Sequence, residues 1–378
     1  MKLKSYVYST APSIYGYMSN LSKKYNAVNM SQGAPDFNTP EWLIEYLHYY
    51  TKKGCNQYSP ISGTKELRNA CAQKIYRNYN VKINPENEIM ISCGASEGIF
   101  SAIMAFIRTG DEVIFFDPAF DVFSNTVANL NGISKRLTLH SDGRIDIDAI
   151  AQTITPKTKM IILNSPHNPI GSVISKEEYN EISNLIKGKD IILLCDEVYE
   201  HIYAADEFTS ALQIPSLKEQ LIVIQSLGKT YNITGWRLGV CIAPHNILTH
   251  LNAIHQFTTF SAPTPMQLAL ADGINHYPNY CNQITKLYRK QHETLIHILK
   301  NSRFKIYPWA GSPFQLLGYS TITQKKDKEF AEELVQHHGV GLVPISTLYE
   351  KPKHGLLRLC FAKNDKELIK GAKLLCKV

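Results

Sequence analysis

The chain has 378 residues, 44% apolar and 19% charged, with 40 basic against 33 acidic side chains and a formal charge of +7. That length exceeds one small core, so two units, or one large α/β unit with a satellite, is the default expectation. The mild charge, with no dense Lys/Arg block, excludes a nucleic-acid footprint, and no uncharged stretch is long enough to cross a bilayer. Residues 1–10 are polar and lack the apolar centre of a secretory signal. The eight cysteines form no C-x-x-C pair, and some sit inside apolar runs, such as Ile191-Ile192-Leu193-Leu194-Cys195. Together these features predict a cytoplasmic protein with free thiols, and no metal is called for.

In chain order, residues 1–40 show no sustained period and are expected to form an N-terminal segment packed on the smaller of two units. From 88 to 243, short apolar runs alternate with amphipathic stretches. Strands are predicted at 88–93, 112–116, 134–137, 159–163, 190–195, 221–225 and 239–243. Most are near-continuous apolar runs, as suits a sheet covered on both faces. Helices are predicted at 96–108, 122–131, 146–152 and 176–186. Ser175 is placed as the N-cap of the last, with Glu178 completing a capping box. Such alternation implies a largely parallel, doubly wound α/β sheet. After Pro263-Thr264-Pro265 the pattern turns helical at 266–275 and 279–300. Strands then follow at 304–307, 314–319, 340–343 and 356–360, interleaved with helices at 327–337 and 365–375. The expected organisation is a large domain over 41–275 and a smaller α+β domain over 276–378.

Lys229 lies in Ser226-Leu227-Gly228-Lys229-Thr230, directly after an apolar run and shortly before Thr234-Gly235-Trp236-Arg237-Leu238-Gly239. A loop lysine is usually solvated, so its neighbours decide its use. Ser226 and Arg237 offer a hydroxyl and a cation for a phosphate, and a lysine amine beside a phosphate clamp is what pyridoxal phosphate requires. Such a cofactor also needs a carboxylate at its ring nitrogen. Asp196 stands at the end of an apolar strand, where open α/β sheets bind ligands. Tyr199, three residues on, and Asn168, in the turn Asn164-Ser165-Pro166-His167-Asn168-Pro169, can donate to a phenolate oxygen. Gly94, Ala95 and Ser96 open a helix after a strand, which suits either a tight turn or an anion cup. Phe120 suits either core packing or stacking on a ring. Arg358, inside the apolar strand Leu356-Leu357-Arg358-Leu359-Cys360, calls for a partner, either a structural carboxylate or that of a substrate. Gly228-Lys229-Thr230 also invites a nucleotide phosphate loop, but Val223 stands where that motif requires glycine.

These motifs, in this order, resemble the class I/II aminotransferases of the fold-type I pyridoxal-phosphate superfamily, and within it the methionine and kynurenine (glutamine) aminotransferases. The resemblance runs through 30–37 (MSQGAPDF), Asn56-Gln57-Tyr58, 93–97, 117–121, 164–171, 196–201, 226–239, 255–270 and 358–363. It implies a mostly parallel seven-stranded sheet sandwiched by helices, plus a smaller α+β domain. It implies Lys229 as the Schiff-base lysine, Asp196 at the pyridine nitrogen, Asn168 and Tyr199 at the phenolate oxygen, and Phe120 over the ring. Ala95, Ser96, Ser226 and Arg237 match phosphate-binding positions. Tyr58 matches a tyrosine that reaches the neighbouring subunit's phosphate, so a homodimer with shared active sites is implied. Gly33, Asn168 and Arg358 match positions that hold a substrate α-carboxylate. Tyr15 and Phe260 match pocket-lining aromatics, with Phe260 reaching in from the other subunit. The implied activity is ping-pong transfer of an amino group from an amino acid to a 2-oxo acid. A C–S β-lyase on the same fold is the alternative. Two departures stand out. Ser312-Pro313-Phe314-Gln315 replaces the usual residues after the glycine at 311, and Phe120 replaces a tyrosine found in many members. No second arginine is evident for a side-chain carboxylate, so methionine, aromatic, kynurenine or glutamine donors are expected over aspartate.

Overall fold

The order of polar and apolar residues along the strands decides the architecture. The computed structural model describes Val7 and residues 12–378. The described chain opens with α1 (Ile14–Lys24), whose first turn is capped by the Ser13 hydroxyl, and β1 (Val28–Asn29). Two helices follow, α2 (Glu41–Lys52) and α3 (Lys65–Tyr79). The central run is β2 (Ile89–Ser92), α4 (Ala95–Phe106), β3 (Glu112–Asp117), α5 (Asp121–Asn129), β4 (Ile133–Thr138), α6 (Ile147–Thr153), β5 (Thr158–Asn164), α7 (Lys176–Ile186), β6 (Ile192–Asp196) and β7 (Leu221–Ser226). It continues through the single-turn α8 (Leu227–Thr230), β8 (Gly239–Ile242), α9 (His245–Thr258) and α10 (Thr264–His276). The remainder comprises α11 (Tyr280–Leu299), β9 (Lys305–Ile306), β10 (Phe314–Gly318), α12 (Asp327–His338), β11 (Val340–Gly341), β12 (Val343–Pro344), β13 (Leu356–Cys360) and α13 (Asp365–Leu375).

Among the described residues, seven strands form the large sheet in the order β2-β8-β7-β6-β5-β3-β4. Neighbours from β7 to β4 pair in parallel, whereas β8 runs antiparallel to both β2 and β7. Successive side chains point to opposite faces of a strand. Ile161 and Leu163 of β5 therefore join the core under α3, α7 and α10, while Met160 and Ile162 join the core under α4, α5 and α9. The edge strand β4 is instead exposed or half-buried throughout, and its Lys135 and Arg136 keep that edge polar.

The smaller unit holds a four-stranded sheet, β12-β13-β10-β9, among the described residues. Its core combines Leu295, Phe330, Leu357 and Leu368 with Met18 of α1 and with Val28 and Met30. The segment expected to be irregular thus contains a helix and a strand. The strand expected at 340–343 is split between two sheets. Val340 and Gly341 pair in parallel with β1, while Val343 and Pro344 pair with β13. Pro344, which has no N–H to donate, takes the edge of its sheet. All eight cysteines are free. Among the described residues, no helix is long and apolar enough to cross a membrane.

Candidate active site

Three adjacent parallel strands end in polar residues: Asn164 on β5, Asp196 on β6 and Ser226 on β7. Above these ends a cavity of about 340 Å³ opens between the large sheet and the smaller unit. Of the residues singled out from sequence, Tyr15, Gly33, Ala95, Ser96, Phe120, Asn168, Asp196, Tyr199, Ser226, Lys229, Arg237 and Arg358 all line it.

Lys229 sits in α8, whose N-cap is Ser226; the Ser226 hydroxyl accepts the Lys229 N–H at 3.3 Å. The Lys229 amine donates to the Gly33 carbonyl and lies 5.7 Å from the Tyr199 ring centroid. Burial lowers this amine from 10.5 to about 8, and the positive charges of Arg358 and Arg237 push it the same way. Asp196 is 3% exposed, and burial raises its carboxyl to about 7 against the opposing effects of the Val198 N–H and Lys229. Burial likewise pushes the Tyr199 phenol up, so it stays protonated as a donor.

At the anion end, Gly94 caps α4 with φ 85°, and the first N–H groups of a helix have no intrahelical acceptor. A Cβ on Gly94 would lie 2.3 Å from the Arg237 guanidinium, so only glycine lets that side chain cross the loop. Arg237 itself takes φ 55° and donates to the Thr234 carbonyl at 3.1 Å. Gly239 is similarly constrained, since a Cβ there would meet the Ala95 nitrogen at 2.6 Å.

Arg358 is 1% exposed in β13. Its guanidinium donates to Asn168 Oδ1 at 3.0 Å and to the Ser31 carbonyl at 2.6 Å, while its buried Nε has no partner. The Tyr15 and Phe314 rings pack against it, with centroids 4.6 and 4.0 Å from its central carbon. Phe314 also meets the Tyr199 ring edge-to-face at 5.5 Å. Two contributors were not singled out from sequence as site residues. Asn164 donates to the Asp196 carbonyl at 2.9 Å and accepts the Asn168 N–H at 2.7 Å, tying the two loops together. Phe314 lies in the divergent stretch after Gly311, and its contact with Arg358 depends on strand pairing that a linear sequence does not display. Behind the site, Glu200 is held by Lys74 at 2.5 Å and by the Tyr79 hydroxyl, fixing the segment that carries Tyr199.

Tyr58 and Phe260 do not line this cavity. They are 81% and 44% exposed and pack on each other, with ring centroids 4.9 Å apart.

The donor set fits pyridoxal phosphate. It offers a helix N-terminus with Ser226 and Arg237 for the phosphate, a buried carboxylate, a protonated phenol, an aromatic face in Phe120, and a lysine of lowered basicity. The chain belongs to the class I and II aminotransferases, whose family model matches residues 25–373. It is 39% identical to the methionine aminotransferase of Escherichia coli (strain K12) over 365 residues, covering 96% of this chain and 95% of that one. It is 32% identical to the kynurenine–oxoglutarate transaminase of Dictyostelium discoideum, covering 98% and 95%. A crystal structure of an Escherichia coli protein with methionine aminotransferase function matches with a TM-score of 0.97 at 38% identity, over all of both chains. The enzyme is therefore a pyridoxal-phosphate-dependent transaminase of fold type I.

Proposed function

We propose that this transaminase takes its amino group from an amino acid with an apolar or aromatic side chain, of the methionine, aromatic, kynurenine or glutamine type. The group passes to a 2-oxo acid in a ping-pong cycle. The observation that carries this reading is the charge inventory of the cavity: its lining cations are Lys229, Arg237 and Arg358, and each already has a task. None is left for a second carboxylate, and Tyr15, Phe120 and Phe314 make much of the wall aromatic. Methionine and kynurenine transaminases among the similar proteins support the same class of donor.

Pyridoxal phosphate, when bound, supplies the electron sink. The protein's own groups do the rest. Arg358 and Asn168 receive the α-carboxylate, Arg358 with its unpaired Nε–H and Gly33 through its backbone. Lys229, with its amine near 8, is partly neutral at pH 7 and would take the α-proton of the substrate and carry it to the cofactor. Asp196 would face the ring nitrogen, Tyr199 and Asn168 would donate to the phenolate oxygen, and Phe120 would stack on the ring. Ala95, Ser96, Ser226 and Arg237 would hold the phosphate. The exposed Tyr58–Phe260 pair supports a homodimer in which each subunit completes the other's site, and the free thiols suit the cytoplasm.

A panel of amino donors against several 2-oxo acids tests the substrate class. Methionine, phenylalanine or kynurenine should exceed aspartate in kcat/KM by about 100-fold, because a second carboxylate finds no partner. A preference for aspartate overturns the assignment. Gly94→Ala tests the anion cup. It should displace Arg237 and raise the pyridoxal phosphate dissociation constant about tenfold, read by absorbance titration of the apoenzyme.

A further inference from the structure

The third residue of α4, Glu97, makes contacts that no role described so far requires. Its Oε2 accepts the Cys93 N–H at 3.0 Å and lies 3.1 Å from His255 Nδ1, while its Oε1 accepts the Ser101 hydroxyl at 2.6 Å. Burial alone would raise this carboxyl, but hydrogen bonds from His255 and Ser101 outweigh it and hold it below its ordinary value. Glu97 thus takes the loop N–H at Cys93 and leaves those of Ala95 and Ser96 for an anion.

His255, on α9, is fully buried, and its Nε2 has no partner. A carboxylate can only accept, so in this contact Nδ1 donates to Glu97. Thr259 Oγ1 lies 2.9 Å from the same nitrogen. The His255 carbonyl accepts the N–H groups of Thr259 and Phe260, both at 3.0 Å, and Phe260 takes φ 68°. The His255 backbone therefore closes the end of α9 beside Phe260, while its side chain ties Thr259 of that same turn to Glu97, the residue behind the anion cup. The loop carrying Tyr58 is fixed from the other side. The Gln267 amide donates to Ser59 Oγ at 3.0 Å and to the Ala262 carbonyl at 2.8 Å, and its oxygen accepts the Thr64 N–H at 2.8 Å.

We propose that Glu97 and His255 are positioning residues that join the phosphate cup to the arm formed by Tyr58 and Phe260, so that cup and arm are set together. The proposal rests on the reading of residues 93–96 as the phosphate site. In the homodimer, it makes cofactor seating in one subunit a condition for the pocket wall of the other.

The test titrates pyridoxal phosphate into apoenzyme carrying His255→Leu or His255→Asn, and measures KM and kcat for the best donor together with the melting midpoint of each apoenzyme. Asparagine keeps a donor near the place of Nδ1, whereas leucine does not. His255→Leu should raise the cofactor dissociation constant about tenfold and raise KM more than it lowers kcat, as orphaning one buried charged acceptor implies. His255→Asn should return both to within about threefold of wild type. If His255→Leu does not fold, Glu97→Gln carries the test and should raise the dissociation constant at least about threefold. A lower melting midpoint with unchanged dissociation constant and KM overturns the proposal, because that is the signature of a purely structural histidine. Equal losses in the leucine and asparagine variants overturn it too. Wild-type apoenzyme that takes up no pyridoxal phosphate overturns the cofactor reading, and this proposal with it.

Discussion

Lys229→Ala is expected to lower turnover by at least about 10⁴-fold, because the proposed function gives one amine the parts of both nucleophile and proton carrier. The size of the effect follows from the cavity. The Lys229 amine is set between the Gly33 carbonyl and the Tyr199 ring, and Arg237 and Arg358, the other cations lining the cavity, are lasting charges that cannot replace it as a base. The lowered basicity gives a second, independent readout. Lys229 loses its proton near pH 8 in the folded protein, against 10.5 for an ordinary lysine. Covalent capture of added pyridoxal phosphate by borohydride in the wild-type apoenzyme should therefore rise as pH climbs through about 8 and then level off. A curve still rising at pH 10, or capture undiminished in Lys229→Ala, rejects the assignment. The same shift enters stability with a definite sign. A depressed folded value means that the lysine's contribution is fully present above 10.5 and is lost as pH falls through 8.

The reason Lys229 can be placed from sequence at all is that β5, β6 and β7 announce themselves. Each is a run of apolar residues stopped by one or two polar ones, Gln225-Ser226 in β7, and in a parallel sheet those stops share one end. Asn164, Asp196 and Ser226 are those stops. Ser175 and Glu178 likewise announce α7, where both capping hydrogen bonds form. What the sequence does not display is contact between distant segments. Glu97 and His255 are 158 residues apart, and neither neighbourhood hints at the other. Phe314 meets Arg358 because β10 and β13 run antiparallel with Leu316 opposite Arg358, which places Phe314 two residues from that pairing on the same face of the sheet. Helix α1 escapes notice for a different reason. Its stripe of Ile14, Met18 and Leu21 does fall at helical spacing, but only Met18 of the three is fully buried, and Gly16, Ser19 and Ser22 lower the helix propensity of the run. By contrast, α9 buries Ile247, Leu248, Leu251 and His255 at helical spacing, a signal that was legible but is absent from the predicted elements.

Arg358→Lys is the second substitution with a large expected effect: kcat/KM should fall by about 10³-fold while the cofactor dissociation constant stays within about threefold. Charge is conserved, so the loss must come from shape. The guanidinium already gives one N–H to Asn168 and another to the Ser31 carbonyl, and still has Nε–H to offer. A lysine ammonium has three donors on one atom and cannot meet both protein acceptors and a carboxylate in a plane. Tyr15 and Phe314 sharpen the difference, because a flat cation packs between two rings while a tetrahedral one does not. A structural arginine would also be damaged by this change, so the measurement has to separate the two roles. Comparing an amino acid with the corresponding amine, which lacks the α-carboxylate, does so. Wild type should prefer the amino acid strongly, and Arg358→Lys should lose most of that preference while processing the amine at a rate close to the wild-type one. An equal loss on both donors assigns Arg358 to holding β13 and the Asn168 loop together, and leaves the substrate carboxylate to another group.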